Sequence, residues 1–551
     1  MSEISAKQLA DRYRNARQKR VAWEAHWREC YDFALPHKGG TSELSTPGAK
    51  QSDKLFDGTA PDGVEHLAAS LLSEMTPPWA RWFGFTEGRD VGDQERAMVA
   101  AALENAASAL QSNFDRSNFA IEMHQCYLDL VTVGSACLLF EEASPGASSA
   151  FRFTAVPLSQ VVFEENAFGQ LDTTFRRSEL TPTQVLYRFP KATLPTDMTE
   201  RGRTDPDYKI AVIEAVMPSA SGFAYYATID GGVSSSESIM LATGKFHRSP
   251  FINFRWLKAA GEVYGRSPVM KALPDIKTAN KVVELILKNA SIAVTGIWQA
   301  DDDGVLNPAN IKLKPGTIIP KAVGSAGLTP LEAPGRFDLS QLILQDLRKN
   351  IRRALLADKL GQPEDPRMTA TEVLERSADM ARLLGATYGR LQSELLSPLV
   401  NRGLSILRRR GEVPDIQIDG RTIDLEYKSA LSRQQARQDT QNTIRWLEAI
   451  QILGAEGASV VDHAAAARWL GRTFGVPSDI LREPVTVPGL SAVPPDLAGI
   501  ADLLGGLVPG PTTGGDIAPA IPAVPTAPAV PVAPAGPLPA NMTDTIPTEG
   551  T

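Results

Sequence analysis

The sequence predicts an α+β chain, mainly helical, whose copies pack side by side. Three observations lead there. Stretches on either side of the middle carry apolar residues at spacings of three, four and seven, whereas residues 132–257 alternate apolar and polar. Residues 261–411 hold two helix-forming stretches, each basic on one side, around a compact insert, followed by a proline-containing loop and a long broken helix. Helices of that kind suit lateral packing and point to a ring or bundle of copies.

Composition narrows the reading. At 551 residues the chain exceeds one core, and roughly two to four structural regions are expected. With 43% hydrophobic and 22% charged residues it reads as an ordinary globular protein. A net charge of −8 argues against a general nucleic-acid binder, so any DNA contact must be local and weak enough to allow release. Three cysteines, Cys30, Cys126 and Cys137, give no disulfide framework and fit a reducing compartment. The N-terminus lacks a basic segment followed by an apolar core, so no secretion signal is expected. No apolar run approaches membrane-spanning length, and no membrane partner is expected.

Residues 4–34 read as one amphipathic helix, with Trp23, Trp27 and Tyr31 four apart. Arg12, Arg14, Arg17, Lys19 and Arg20 crowd its first half and are read as a solvated face. Pro36 ends it, and a Gly/Ser/Thr-rich loop runs to Lys50. A second helix covers 63–75, stopped by Thr76-Pro-Pro-Trp79, and Trp82-Phe-Gly-Phe85 begins an extended piece. Helix follows over 93–114 and 118–132. Strands are expected at 151–156, 161–164, 171–176, 210–217, 223–229 and 251–256, with a turn at Asn166-Ala-Phe-Gly169 and a loop at Gly231-Gly232.

The first of the paired helices spans 267–292, with Val269, Leu273, Ile276, Val283, Leu287 and Ala290 at helical spacing. Lys277, Lys281, Glu284 and Lys288 repeat on another face. The second spans 339–360. Asp338 with Gln341 reads as its N-cap pair, and Arg348, Lys349, Arg352 and Arg353 form two pairs four apart. Residues 266–293 and 339–360 each hold five basic and two acidic residues, a net +3, while the insert 294–338 is −1. Charge therefore alternates along the hairpin. Gly361-Gln-Pro-Glu-Asp-Pro-Arg-Met368 is a short loop, and Thr369 to Glu372 is a capping-box signature. The helix that follows runs to about Arg410, with Pro398 expected to kink or split it. A strand at 421–428 and helices at 433–453 and 463–474 complete the ordered chain. Beyond Arg482 there is no Lys or Arg, and the Pro/Ala/Val/Gly-rich remainder reads as disordered or polyproline-like.

Catalytic and metal signatures are sparse. No phosphate-cradling G-x-x-x-x-G-K-[ST] loop, H-E-x-x-H or paired C-x-x-C occurs, and no cofactor or metal is expected. His124 and Cys126 lie two apart on a helix and face different ways. Asp301-Asp302-Asp303-Gly304 starts like a calcium loop, but Val305 and Leu306 stand where a ligand and a glycine belong; an acidic turn is the better reading. Asp415, Glu426 and Lys428 fit the loose spacing of magnesium-dependent nucleases, in which both carboxylates would hold the metal. A DNA-processing nuclease is accordingly the alternative function, with an ordinary strand pair the simpler account.

Gly261-Glu-Val-Tyr-Gly-Arg-Ser267, Arg367-Met-Thr-Ala-Thr-Glu-Val373 and Ser393-Glu-Leu-Leu-Ser-Pro-Leu-Val400 resemble segments of the portal, or head-to-tail connector, proteins of short-tailed double-stranded DNA phages. Asp424 to Asp439, Asp57-Gly-Thr-Ala60 and Leu71 to Phe85 add to the likeness, which spans about 10–480. Each motif alone is permissive; their order and spacing carry the signal. The resemblance implies a non-enzymatic ring, typically of twelve copies, at the one capsid vertex where DNA enters and leaves. It implies a wing (1–260), a first stem helix (261–293), a clip (294–338) and a second stem helix (339–360). Beyond these come a channel loop (361–368), a long kinked helix with a return strand (369–430), crown helices (431–484) and an unmatched tail (485–551).

The resemblance implies as partners double-stranded DNA, the terminase large subunit, tail adaptor or nozzle proteins, the major capsid protein with its scaffold, and internal core proteins. It places the assembled ring in the virion, built in the host cytoplasm. Arg367, Lys277, Lys281, Lys288, Arg348 and Arg352 become DNA-facing candidates, the lysines either lining the lumen or pairing with a neighbour's carboxylates. Asp301, Asp302, Asp303, Lys312 and Lys314 become candidates for clip contacts.

Overall fold

A reciprocal cap starts the ordered chain. The Ser5 hydroxyl accepts from the Gln8 amide at 3.3 Å, and Gln8 Oε1 accepts from the Ser5 amide at 3.0 Å. Helix α1 (Ala6–Ala34) follows. The structure, a computed structural model, describes residues 4–38, 52–78, 80–87, 96–230, 238–295, 298–300, 323, 328–330, 337–357, 385, 387–414, 423–427, 442–450 and a few positions in 461–471. All fall within the first of two units, Met1–Gly475. The architecture is mixed and mostly helical, as the periodicities predict, and no helix among the described residues is long and apolar enough to cross a membrane.

After α1 come α2 (Thr59–Met75), β1 (Phe83–Glu87), α3 (Arg96–Asp115) and α4 (Phe119–Val133). Nine strands reach residue 255: β2 (Ser135–Glu142), β3 (Phe151–Ala155), β4 (Val161–Glu165), β5 (Leu171–Leu180), β6 (Ile210–Ser219), β7 (Gly222–Ile229), β8 (Met240–Phe246) and β9 (Phe251–Arg255) join β1. Short helices α5 (Pro182–Arg188) and α6 (Thr196–Thr204) lie between β5 and β6. Strands β4 to β8 form an antiparallel meander, and β3-β2-β9 a second, smaller sheet.

Alternation on the meander decides what covers each face. Val162, Phe175, Ile213, Ala215 and Met217 pack under Leu9, Ala10, Tyr13 and Ala16 of α1. Ile210, Val212, Ala227, Ile229 and Leu241 pack under Val185 and Phe189 of α5. The main core joins the second half of α1 to α2, α3, α4 and the smaller sheet. Its rings stack or meet edge-on, with Phe140 and Phe153 centroids 4.3 Å apart.

Strand β2 and helices α5 and α6 are not expected from the pattern, nor is β8. Strand β2 follows α4 after one left-handed residue, Gly134 (φ 78°), and is buried along both faces over Ser135–Phe140, so it shows no alternation. Helix α5 did carry a local signal: Thr181 and Gln184 form a capping box with Pro182 behind it. The basic cluster of α1 is also corrected. Arg20 is 3% exposed and donates to the Leu158 and Val161 carbonyls at 2.8 and 2.6 Å, while Arg12 pairs with Glu164 at 2.6 Å. Burial of Ala16 and Tyr13 brings that side of the helix onto β4, so Arg20 meets protein where open water was expected, while Arg12 and Lys19 are exposed as expected.

Pro398 neither breaks nor splits its helix. A proline lacks the amide that would bond the carbonyl of 394, and the preceding residues Gln392–Leu396 form a π turn that leads directly into α9 (Ser397–Arg410). Gly411 (φ 75°) closes α9 in the left-handed conformation. The π turn carries Glu394 to Arg255, whose side chain is 0% exposed. Glu394 accepts from the Arg255 amide at 3.0 Å and from Nη2 at 2.7 Å. Glu165, Val263 O and Gly169 O take the remaining guanidinium bonds, and Lys258 pairs with Glu165. Two short strands, β10 (Trp298–Ala300) and β11 (Leu328–Pro330), precede β12 (Ile423–Tyr427), the last strand among the described residues, which pairs antiparallel with β1. The 442–450 stretch is helical within the expected 433–453, whereas the Gly231-Gly232 loop, the capping box at Thr369 and the tail lie outside the described residues.

Removing one partner of a buried ion pair leaves an uncompensated charge, so Glu394→Ala is expected to cost about 3–5 kcal/mol. Equilibrium denaturant unfolding against the unsubstituted chain measures it, and a loss near zero would show that Glu165 alone suffices for Arg255.

Candidate functional site

The motif Gly261 to Ser267 builds the start of the first paired helix. A Cβ on Gly265 would stand 2.0 Å from the Gly134 carbonyl oxygen, so only glycine allows the two backbones to meet. Tyr264 packs edge-on against Trp27 with centroids 5.0 Å apart, and the Arg266 guanidinium lies over Trp23. Ser267 Oγ donates to the Thr132 carbonyl at 2.8 Å and accepts from the Met270 amide at 2.9 Å, capping α7 (Pro268–Thr295).

Helix α7 is half anchored and half free. Val269, Leu273, Ile276 and Ala279 are buried, but none of residues 281–291 is. Helix α8 (Phe337–Ala354) mirrors this: Leu344 and Ile351 are buried, whereas Leu342 and Ile343 are 59% and 46% exposed. The helices pack along one another, and the antiparallel ladder of β10 (Trp298–Ala300) and β11 (Leu328–Pro330) joins their outer ends into a hairpin. Two expectations are corrected here. Helix α8 begins at Phe337, so Asp338 lies in its first turn and is not the cap. Helix α8 ends at Ala354, and the chain turns at Leu355 and Leu356 (φ 57°) within the expected 339–360, of which 358–360 lie outside the described residues. Leu355 there packs so close to α2 that a Cβ on Gly63 would meet its Cδ1 at 2.7 Å.

Where the hairpin leaves the body, a polar cluster binds both helices to the segment before α2. Asn280 Oδ1 accepts from the Phe56 and Asp57 amides at 2.6 and 3.1 Å, and its Nδ2 donates to the Lys54 carbonyl at 2.8 Å. Arg348 of α8 donates to Asp57 Oδ2 at 2.8 Å, while Asp57 Oδ1 accepts from the Thr59 amide at 2.9 Å. Burial alone would raise the Asp57 carboxyl, but the hydrogen bonds from Thr59 and the Arg348 charge outweigh it and hold the group below the usual aspartate range. The stabilisation from that depression is present above the ordinary aspartate range and is lost as pH falls through the lowered folded value. Asn280 was legible as an amide interrupting the stripe of Ile276 and Val283, and Asp57 only as part of a resemblance.

The candidate basic residues separate. Lys281 and Lys288 bracket Glu284 at 2.9 and 2.6 Å, and the pair holds the Glu284 carboxyl below its usual range. Lys277 reaches Glu29 of α1 at 3.3 Å. Arg348 is engaged with Asp57, and Arg352 is exposed near the inner end of α8. Arg367, Asp301, Asp302, Asp303, Lys312 and Lys314 lie outside the described residues, as do Asp415 and Lys428. Glu426 stands in β12 opposite Gly84 of β1.

Comparison with known proteins bears on the whole of this arrangement. A probable portal protein of Bordetella phage BPP-1 is 25% identical over 491 residues, covering 85% of this chain and 86% of that protein. The portal protein of Salmonella phage epsilon15 is 24% identical, with 79% and 81% covered, and that of Escherichia phage T7 is 21% identical, with 76% of each covered. The model of one family, described as the bacteriophage head to tail connecting protein, matches residues 6–481, from the first turn of α1 to beyond the last described helix. Because that match takes in the capped entry of α7, the hairpin and the cluster at its root alike, the chain belongs to the bacteriophage head to tail connecting protein family.

Proposed function

We propose that this chain is a portal: copies close into a ring, typically of twelve, at one capsid vertex, and DNA passes through the centre during packaging and ejection. The observation that carries this reading is the outer half of the α7–α8 hairpin. Leu285 and Leu287 are 49% and 53% exposed and sit about 200° apart round the helix, while Val282, Val283 and Ile286 turn toward the core. With Lys281, Glu284 and Lys288 on the remaining face, apolar residues on both flanks of the helix call for a neighbour on each flank. One chain supplies α8 alone. A ring supplies a copy on each flank, and closed cyclic symmetry leaves no such surface bare.

In this reading α7 and α8 are the two stem helices, and 294–338 is the clip that meets the terminase large subunit and later the tail adaptor or nozzle. Residues 361–368 form the loop toward DNA, with Arg367 as its cation. Residues 1–260 make the wing, 369–430 the kinked helix with its return strand, and 431–484 the crown. Major capsid protein, scaffold and internal core proteins surround a ring that is assembled in the host cytoplasm and carried in the virion. A conduit must hold a polyanion without gripping it, since each phosphate neutralised strengthens binding and slows sliding. Two lysines sharing one glutamate on each α7 supply a weak cation ring of that kind.

Native mass spectrometry with negative-stain averages tests the ring. A closed assembly near twelve copies is expected, and a stable monomer at micromolar concentration would sink the proposal. Each leucine buried between copies contributes about 1.5–3 kcal/mol. Leu287→Glu combined with Leu342→Glu is therefore expected to raise the concentration needed for assembly by more than tenfold, read by mass photometry. Rings indifferent to both changes would place the interface elsewhere. Purified rings given plasmid DNA and magnesium are expected to leave it intact; cleavage lost in Asp415→Ala would instead favour the nuclease.

A further inference from the structure

We infer that Asp57, Asn280 and Arg348 form a root clasp that sets the tilt of the hairpin, and through it the bore of the channel. The inference rests on the conduit reading for its consequence, but the clasp itself is a property of one chain. Its position singles it out. Asn280 is the last buried residue of α7 before the free half, and Arg348 stands between Leu344 and Ile351, the first buried residues of α8. Both side chains reach the same short strap, Lys54-Leu-Phe-Asp57, which leads into α2.

The bonding is suited to fixing an angle. Asn280 holds three backbone groups of the strap on the α7 side. Arg348 places two nitrogens, Nε and Nη2, each 2.8 Å from the one oxygen Oδ2 of Asp57, so the edge of its planar guanidinium is aimed at that atom and orientation is fixed as well as distance. Asp57 is in turn held by the Thr59 amide at the start of α2, a helix packed into the core. Each stem helix is thus tied at its root, by polar contacts of defined direction, to one rigid point of the body. Apolar contacts, which lack direction, would allow the hairpin to roll.

Leverage makes a small tilt consequential. Thr295 lies fifteen residues beyond Asn280, about 22 Å at 1.5 Å per residue. A tilt of about 10° at the root moves that end by about 4 Å, and opposed copies would change the bore by about twice that. The clasp residues are positioning residues: they touch each other and the strap, not DNA. The arrangement also gives Arg348 a role that a DNA-facing cation would not have.

Spin labels on Val21→Cys of α1 and Asn289→Cys of α7 report the tilt within one chain. Both sites are exposed, and the native thiols Cys30, Cys126 and Cys137 are buried and do not compete for label. Labelled chains are diluted with unlabelled ones in the assembled ring. Arg348→Met and Asn280→Ala are each expected to shift or broaden the distance by about 2 Å or more, the lever reaching about 13 Å at Asn289. Thermal midpoints should fall by only a few degrees and copy number should not change. Arg348→Lys, which keeps the charge but loses the fork, should lie between, and Lys349→Met should match the unsubstituted protein. Unchanged distances in both Arg348→Met and Asn280→Ala overturn the inference. So does an Arg348→Lys chain that cannot fold, since the cluster would then determine the fold and not the angle. Failure of the unsubstituted chain to form rings overturns the portal reading instead, and the intrachain distance still tests the clasp in that case.

Discussion

The outer half of the α7–α8 hairpin has no core of its own. The chain holds that half out from the body with apolar residues exposed on its flanks. An isolated pair of helices with exposed leucines would fold back or aggregate unless its base were fixed. The base is fixed by apolar burial below residue 280 and by the strap at Asp57. The body then provides the mass against which a lever can act: two antiparallel sheets, and α4 buried among α1, α2 and α7.

Charge is arranged with the same economy. Several buried ions are paired: Arg255 with Glu394 and Glu165, and Asp129 with Lys38. Each ties elements far apart in sequence, and each fixes a direction that apolar packing would leave loose. On the free half of α7, by contrast, Lys281 and Lys288 share Glu284 in solvent, where ion pairs contribute little to stability and are screened by salt.

Legibility varied with how much of an element's environment is local. Helices α1, α2, α4 and α7 were readable from their period, because it depends on residues within a turn, whereas the cap at Ser267 was seen only in the structure. Strand β2 was not, since burial on both faces erases the alternation that marks a strand. Arg20 was read as solvated because nothing near it in sequence announces β4, which lies more than a hundred residues away. Pro398 was read as a kink or split; what absorbs it is a π turn whose Glu394 is held by an arginine 139 residues earlier.

By itself, then, the sequence determined the element types, the paired helices with their basic stripes, and the family, because periodicity, capping and motif order are properties of neighbours along the chain. The tertiary structure alone decided which charges pair within their own helix and which are committed across the fold. Lys281 and Lys288 share Glu284 on the same helix, whereas Arg348 is held by a carboxylate that the fold brings to it. A carboxylate 291 residues away in sequence turns one apparent channel cation into a structural anchor. No local pattern encodes that distance, since it exists only once α2, α7 and α8 have packed.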